Sequence, residues 1–313
     1  MPKKAAAGPP GIGQWVIGGA RTGTRLAARS TNGITWTGIT SIVIQNGYGV
    51  AYGNGRWVFV SDGTYVMSTS TNLTAWTTIL GPAAGGLTSG GQAIAYSNNT
   101  WVAVGSGANS ISKSTNGTAW TGIPQNTVVS GFGVAYANGL WVVAGQGNDS
   151  IATSNDLITW QGRVGNSSIS GLGLGTGRCV AYGNGRWVVG GSGANTILTS
   201  NDGLTWNGVG TANGGISNYA SGVAYGDGLW VAVGYGSNTI ATSTNGITWT
   251  GQTQNGGITG AGYAVAYGNR LWVVAGEGAN TIATSTDGVT WTGVTGTARG
   301  SIDVAGFSVA FIP

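Results

Sequence analysis

Short runs that alternate apolar and small residues recur along this chain, and glycine-rich turns separate them. In one representative stretch, residues 264–267 form such a run, and a Gly-Asn-Arg turn links it to a second run at 272–275. Two more runs follow at 281–285 and 289–292. Period-two alternation between turn signals predicts β-strands, and Asn-Gly or Asp-Gly supplies the positive φ angles of tight hairpins. The pattern predicts a unit of four short antiparallel strands.

Tryptophan shows that this unit is repeated. All 14 tryptophans fall into pairs, and the two members of most pairs are 19 residues apart. The pairs are Trp15/Trp36, Trp57/Trp76, Trp101/Trp120, Trp141/Trp160, Trp187/Trp206, Trp230/Trp249 and Trp272/Trp291. Repeats of roughly 40–45 residues cannot bury their own apolar faces and must stack on one another. A ring of seven units or an open superhelical stack would satisfy this requirement.

The ends of the repeat array favour the ring. Trp15 belongs to the second strand of a repeat whose first strand is missing, whereas residues 307–311 match the first strands at 48–52 and 132–136 and have no unit after them. The C-terminal strand can therefore complete the first unit and remove exposed sheet edges. We predict an all-β, seven-bladed β-propeller with four antiparallel strands per blade, spanning residues 13–313 as one domain. Residues 1–12 form a Pro/Lys/Ala tail.

The turn between the third and fourth strands carries a motif. It reads S-T-N-G-I-T-W at residues 30–36 and 243–249, S-N-D-G-L-T-W at 200–206 and S-T-D-G-V-T-W at 285–291. The motif resembles the Asp-box, or BNR, repeat of sialidase-like β-propellers, although it is one residue shorter between Ser and Trp. The resemblance implies that the Asx side chain caps its own turn, that the Trp anchors the hairpin, and that neither residue is catalytic. The residues assigned this structural role are Asn32, Trp36, Asn116, Trp120, Asp156, Trp160, Asp202, Trp206, Asn245, Trp249, Asp287 and Trp291.

The composition argues against several classes of function. Only 6% of the residues are charged, the net charge is +4, and no Lys/Arg run extends beyond Lys3-Lys4, so nucleic-acid binding is not expected. The chain has no His and a single Cys, and no cluster of ligand-type residues, so we expect neither a metal nor a cofactor. The N-terminal residues contain no apolar segment typical of a secretory signal, and no stretch suits a membrane span. We expect synthesis in the cytoplasm.

Candidate binding residues lie on the end of the ring where the loops differ between repeats. The Asn-Gly and Asp-box turns make the other end nearly constant, and function tends to reside in loops displayed by a rigid scaffold. The candidates are Arg21, Arg25, Tyr48, Gln92, Phe132, Arg163, Arg178, Tyr235, Tyr263, Glu277 and Arg299. Tyr48, Gln92, Phe132, Arg178 and Tyr263 are placed around the channel mouth. Arg163 and Tyr219 are placed in inter-blade loops, and Tyr235 and Glu277 in hairpin turns. Arg21, Arg25 and Arg299 could hold an anionic glycan or a partner's carboxylates.

Three function classes follow. The first is a non-enzymatic interaction propeller, associated with a virus particle or a surface, that binds a capsid or tail subunit through the N-terminal tail and attaches to a protein or receptor. The second is a lectin with glycan sites between blades, such as for a host-surface glycan. The third and most remote is a sialidase-like glycosidase. A sialidase needs an arginine triad, a Tyr/Glu nucleophile pair and an Asp acid, but this chain has a single glutamate and no paired carboxylates, so we predict that the protein is not an enzyme.

Overall fold

The computed structural model describes residues 13–19, 26–124, 127–165, 173–210, 214–295, 302 and 304–313. Across these ranges the protein is all-β and contains no helix, which confirms the predicted class. It follows that this part of the chain has no helical segment long and apolar enough to span a bilayer.

The strands follow one another in groups of four. The first strands are β1 (Gln14–Gly19), β2 (Ala27–Ser30), β3 (Thr37–Ile39), β4 (Gly47–Gly53), β5 (Arg56–Ser61), β6 (Tyr65–Ser70), β7 (Thr77–Leu80), β8 (Gly90–Ser97), β9 (Thr100–Ser106), β10 (Ile111–Ser114) and β11 (Thr121–Ile123). Next come β12 (Val128–Ala137), β13 (Leu140–Gly147), β14 (Asp149–Ser154), β15 (Gln161–Gly165), β16 (Leu174–Gly183), β17 (Arg186–Gly193), β18 (Ile197–Ser200) and β19 (Asn207–Gly208). The last are β20 (Tyr219–Gly226), β21 (Leu229–Tyr235), β22 (Ile240–Ser243), β23 (Thr250–Gly251), β24 (Gly262–Gly268), β25 (Leu271–Gly276), β26 (Ile282–Ser285), β27 (Thr292–Gly293) and β28 (Gly306–Ile312).

Each group forms a four-stranded antiparallel unit, as the sequence pattern predicts. In the described ranges, β4–β7, β8–β11, β12–β15 and β24–β27 are separate sheets, while β16–β19 and β20–β23 are joined through the single pair Ser192↔Tyr219. The C-terminal strand β28 pairs with β1, so the remaining sheet has the order β28-β1-β2-β3. One detail of the prediction is wrong. The fourth strand begins directly after the Trp, as at Thr292, because the residues before the Trp belong to the Asx turn, whose hydrogen bonds extend to Thr290.

Neighbouring units pack through contacts between a glycine of one unit and a large side chain of the other. A Cβ on Gly268 would lie 2.0 Å from the Phe311 ring, and one on Gly203 would lie 2.6 Å from the Leu140 side chain of the preceding unit. Such contacts leave no room for a side chain, so a glycine of one unit accommodates a large residue of a neighbouring unit. The core consists of clusters that span neighbouring units in this way. For example, Val142 of β13 packs with Trp187 of β17.

One of the two units that lack the turn glycine inverts this size relationship. Leu73 and Leu157 replace the turn glycine and adopt positive φ angles of 62° and 58°. The residue that would contact that glycine is Arg or Leu in most preceding units, but it is Thr100 before Leu157. Leu157 is 8% exposed and packs in a cluster with Val102, the neighbour of Trp101 in that preceding unit. Leu157 therefore occupies the volume that, in most other units, is occupied by an Arg or Leu side chain of the preceding unit.

We expect Leu157→Gly to lower the free energy of unfolding by ~1–3 kcal/mol, because the lost burial outweighs the relief of the left-handed backbone. Thr100→Leu in the same chain should restore part of this loss, since it supplies the missing side chain from the other unit. A double-mutant cycle measured by urea unfolding tests the pair. Independent, additive effects of the two substitutions would contradict the size exchange.

Candidate functional site

One residue from each first-type strand lines a single cavity. The cavity has a volume of about 200 Å³ and is lined by Tyr48, Gln92, Phe132, Arg178, Ser221, Tyr263 and Phe307. These residues, called the mouth below, come in order from β4, β8, β12, β16, β20, β24 and β28. The structure brings together the five residues that the sequence analysis placed at the channel mouth. It adds Ser221 and Phe307, which the list of candidates omitted.

β-Bulges explain why these side chains converge. In each unit the pairing between the first two strands shifts register at one residue of the inner strand, as between Gly47 and Gly49 or between Gly177 and Cys179. In every unit one such shift skips the mouth residue; the other shifts of this kind fall at Gln92, Phe132, Ser221, Tyr263 and Phe307. β12 and β16 carry a second shift, at Val129 and Gly175. A bulge leaves one residue unpaired and re-aims its side chain. The fold therefore directs these positions into the cavity whatever their chemistry.

Three aromatic rings form one side of the mouth. The rings of Tyr48 and Phe307 stack with centroids 5.3 Å apart and planes at 29°, and the ring of Tyr263 meets Phe307 edge-on at 5.1 Å. Phe307 belongs to β28, and its neighbour Ser308 donates a hydrogen bond from Oγ to the Gly47 carbonyl at 2.9 Å. The C-terminal strand thus holds the central ring of this group, which we call the aromatic corner.

Each tyrosine of the aromatic corner is bonded to a carboxylate. The Tyr48 hydroxyl donates to Asp62 Oδ2 at 3.3 Å, and Asp62 also accepts from the backbone and side-chain nitrogens of Asn46 at 3.1 and 2.9 Å. Burial and then Asp62 raise the pKa of Tyr48. Burial, followed by a hydrogen bond to Glu277, raises the pKa of Tyr263 far above its usual range. Both tyrosines are therefore neutral donors with a carboxylate at the hydroxyl.

Arg178 lies on the other side of the mouth. Its guanidinium carbon is 4.6 Å from the centre of the Tyr219 ring, which in turn stacks on Tyr235 at 5.8 Å. Burial raises the pKa of Tyr219, whereas the positive charge of Arg178 lowers it. Arg178 itself is exposed. This arrangement holds a cation on an aromatic face, an interaction typical of arginine.

The remaining predicted candidates are more scattered. Arg21, Arg25 and Arg299 lie outside the described residues, so their joint site stays a prediction. Arg163 is not in an inter-blade loop: β15 continues through it, and its guanidinium donates to Thr153 Oγ1 at 2.8 Å and to Gln161 Oε1 at 2.9 Å. Tyr219 and Tyr235 are likewise on β20 and β21 rather than in a loop and a turn. The two strands stay paired as far as Tyr219↔Tyr235, beyond the strand ends that the sequence pattern indicates.

The other end of each unit carries the Asx turns. In every unit the Asx Oδ1 accepts backbone N–H groups two and three residues later, at 2.8–2.9 Å, as Asn32 does from Ile34 and Thr35. The same bonds are made by Asn72, Asn116, Asp156, Asp202, Asn245 and Asp287. The tryptophans Trp36, Trp120, Trp160, Trp206, Trp249 and Trp291 are all buried. These side chains are engaged in the turn and the core.

Acid sensitivity should follow from the Asp-containing turns. Hydrogen bonds from the backbone hold the pKa values of Asp202 and Asp287 at about 2, below the value of an unfolded carboxyl. Their contribution to stability is complete above pH ~4 and is lost as the pH falls towards 2. We expect Asp202→Asn/Asp287→Asn to flatten the dependence of the melting temperature on pH in this window, and Asn245→Asp to steepen it. Equal pH profiles for all three chains would contradict this assignment.

The described part of the chain gives little support for a metal site or for a reactive thiol. It holds no group of three His, Cys, Asp or Glu side chains that could bind a metal ion. Cys179, beside Arg178, is buried, and burial raises the pKa of its thiol to about 12. A thiol in that state is a poor nucleophile.

Comparison with known proteins identifies the fold. Residues 155–307 match the family model of the DUF6242 beta propeller domain. Virginiamycin B lyase from Staphylococcus aureus is 13% identical, with 82% of this chain and 86% of that chain covered and a TM-score of 0.66. A protein from Lactobacillus plantarum is 13% identical, with 96% and 99% covered and a TM-score of 0.65. YCF48 bound to D1 peptide is 14% identical, with 93% and 92% covered and a TM-score of 0.63.

These likenesses confirm that the chain is a β-propeller. At such identities they define the fold alone, and since one of the neighbours is a lyase, the fold does not separate binding from catalysis. No protein with a curated description matches the chain in sequence. Function must therefore be argued from the mouth.

Proposed function

We propose that the chain is a closed, seven-bladed propeller that binds a partner protein at the mouth and catalyses no reaction. Closure is supported by the pairing of β28 with β1 and by the bond from Ser308 to Gly47 of β4. The blade count is supported by the seven bulge residues that share one cavity. The virion association, the capsid or tail partner and the anchoring role of residues 1–12 stay predictions, and residues 1–12 lie outside the described ranges.

The observation that carries the binding proposal is the chemistry of the mouth. Its positions are equivalent by fold, yet they hold four aromatic residues of two types, an amide, a guanidinium and a hydroxyl. Interaction sites are enriched in Tyr, Phe and Arg. Tyr48 donates a hydrogen bond to Asp62 and Ser221 donates one to the Gly262 carbonyl, so these groups are not arranged as an acid–base pair around a reacting atom.

A short protein segment is the ligand that best fits the mouth. A cavity of about 200 Å³ admits one or two side chains but not a folded surface. The structural neighbour YCF48 has been observed with a bound peptide, the D1 peptide, so this fold can present a peptide site. For the present chain we infer a segment that crosses the mouth and inserts a side chain.

Selection from a displayed library of random peptides tests this proposal. Peptides enriched on the wild-type protein should lose at least about tenfold in affinity for Gln92→Ala/Phe132→Ala, since both residues line the mouth. The control is Ile158→Ala on an Asx turn, where the side chain is 72% exposed and outside the mouth. No enrichment above background, or equal binding to the mouth variant, would overturn the proposal.

A glycan site between blades is the second candidate. A cavity of about 680 Å³ lies beside the turn of Asp287 and is lined by Ile34, Leu271 and hydroxyl-bearing residues such as Thr286 and Thr292. Hydroxyl donors around an aliphatic floor suit a sugar ring. Binding on a glycan array that Thr286→Val removes, while the equivalent Thr244→Val does not, would support it. An array without binding would exclude it for the glycans displayed.

A further inference from the structure

We propose that the aromatic corner receives a cationic side chain, a lysine or an arginine, of the bound segment. This inference rests on the proposed function and adds the chemistry of the partner. The observations that carry it are the three rings of Tyr48, Phe307 and Tyr263 and the two carboxylates bonded to the tyrosine hydroxyls.

The geometry of the rings suits a cation. Phe307 is central, with Tyr48 stacked at 5.3 Å and Tyr263 edge-on at 5.1 Å, so faces with different orientations border one cavity. All three side chains are only partly buried. A cation within ~6 Å of such faces is attracted by the ring quadrupoles, and the attraction increases when the cation is removed from water.

The carboxylates strengthen the same preference. Asp62 and Glu277 accept hydrogen bonds from the hydroxyls of Tyr48 and Tyr263, which places a negative charge beside the hydroxyl of each ring. The Glu277 side chain packs on Gly260, where a Cβ would lie 2.6 Å from Glu277 Cγ. A cation in the corner would therefore meet two electron-rich tyrosines and the field of two acids.

A cation–π contact of this kind is present on the opposite side of the mouth. Arg178 seats its guanidinium over Tyr219, 4.6 Å from the ring centre. Arg178 is also close enough to Tyr263 for its charge to influence that hydroxyl, since it lowers the pKa that burial and Glu277 raise. A second cation in the corner would thus be repelled by Arg178 while it is attracted by the acids. Removal of the Arg178 charge should therefore strengthen the binding of a cationic ligand and weaken the binding of an anionic one.

The residue preferences of the selected peptides provide the first readout. Lysine or arginine should be enriched at one position, and the best such peptide is then used as the probe. Phe307→Leu keeps an apolar side chain but removes the π face, and should weaken the probe ~3- to 10-fold. Glu277→Gln and Asp62→Asn keep a bonding partner for each tyrosine but remove the charge, and should each weaken it as well.

Arg178→Gln should strengthen the probe, and Arg186→Gln is its control. Both arginines belong to the β16–β17 hairpin and both substitutions remove one positive charge, but Arg186 lies at the turn end, where its side chain packs on Gly246. Tetramethylammonium chloride should compete with the probe more strongly than sodium chloride at the same concentration. If Phe307→Leu does not fold, the two acid variants carry the test.

Two outcomes would overturn the inference and leave the proposed function intact. One is enrichment of acidic residues whose binding is lost in Arg178→Gln. The other is enrichment of apolar residues whose binding at the mouth is unchanged in Glu277→Gln and Asp62→Asn. Failure to obtain any peptide that depends on the mouth would instead overturn the proposed function, and the inference with it.

Discussion

Removing residues 301–313 will cause aggregation or lower the melting temperature by more than ~10 °C. The deletion takes away β28, which pairs with β1 from Gln14↔Ile312 to Gly19↔Gly306. It also removes Phe311, whose ring lies 4.6 Å from that of Trp15. Trp15 is 1% exposed in the intact protein and would lose part of its cover, while β1 would become an unpaired edge that can pair with other molecules.

Calorimetry and light scattering of the truncated protein check this result, with deletion of Pro313 alone as the control. Pro313 is exposed and follows the end of β28, so its loss should leave the melting temperature unchanged. A chain lacking 301–313 that melts like the intact protein and stays monodisperse would show that the C-terminal strand does not complete the first blade.

Trp206→Ala should lower the free energy of unfolding by ~3–5 kcal/mol. Trp206 is 5% exposed, packs in a cluster with Trp187 and Leu198, and donates from Nε1 to the Gly203 carbonyl at 3.1 Å. The substitution removes a large buried surface and opens a cavity between two units, which the surrounding strands cannot close without losing their register.

Trp76→Ala provides the matched comparison for this loss. Trp76 occupies the same repeat position but is only partly buried, and its buried Nε1 has no hydrogen-bond partner within the described residues. Urea unfolding should therefore show a smaller loss for Trp76→Ala than for Trp206→Ala. If Trp206→Ala retains its stability but loses a glycan or peptide ligand, the Trp would be a binding surface and the structural assignment would be wrong.

The strands could be predicted from the sequence because their signals are local. Alternation of apolar and small residues and Asn-Gly turns act within a few residues, and the paired tryptophans mark the same positions in each repeat. The mouth positions were largely accessible as well, because Tyr48, Gln92, Phe132, Arg178 and Tyr263 occupy one repeat position. Ser221 and Phe307 share that position in the repeats and could have been found by the same alignment of inner strands.

Contacts between units could not be predicted in this way. Arg178 meets Tyr219 only because the strands of two neighbouring units have a particular offset, which no local pattern encodes. The β-bulges could not be predicted for a similar reason. Small flanking residues such as Gly47 and Gly49 permit a bulge, but the register shift depends on how the two strands pair. Arg163 was misplaced because β15 extends beyond the repeat pattern.

Hydrogen–deuterium exchange with and without a saturating selected peptide tests the central claim most directly, because it locates the bound segment without altering the protein. The account predicts protection at the mouth ends of β4, β24 and β28, around Tyr48, Tyr263 and Phe307, and no change at the Asx turns of the opposite end. Protection confined to the Asx turns, or to the cleft beside Asp287, would contradict the assignment of the mouth as the binding site.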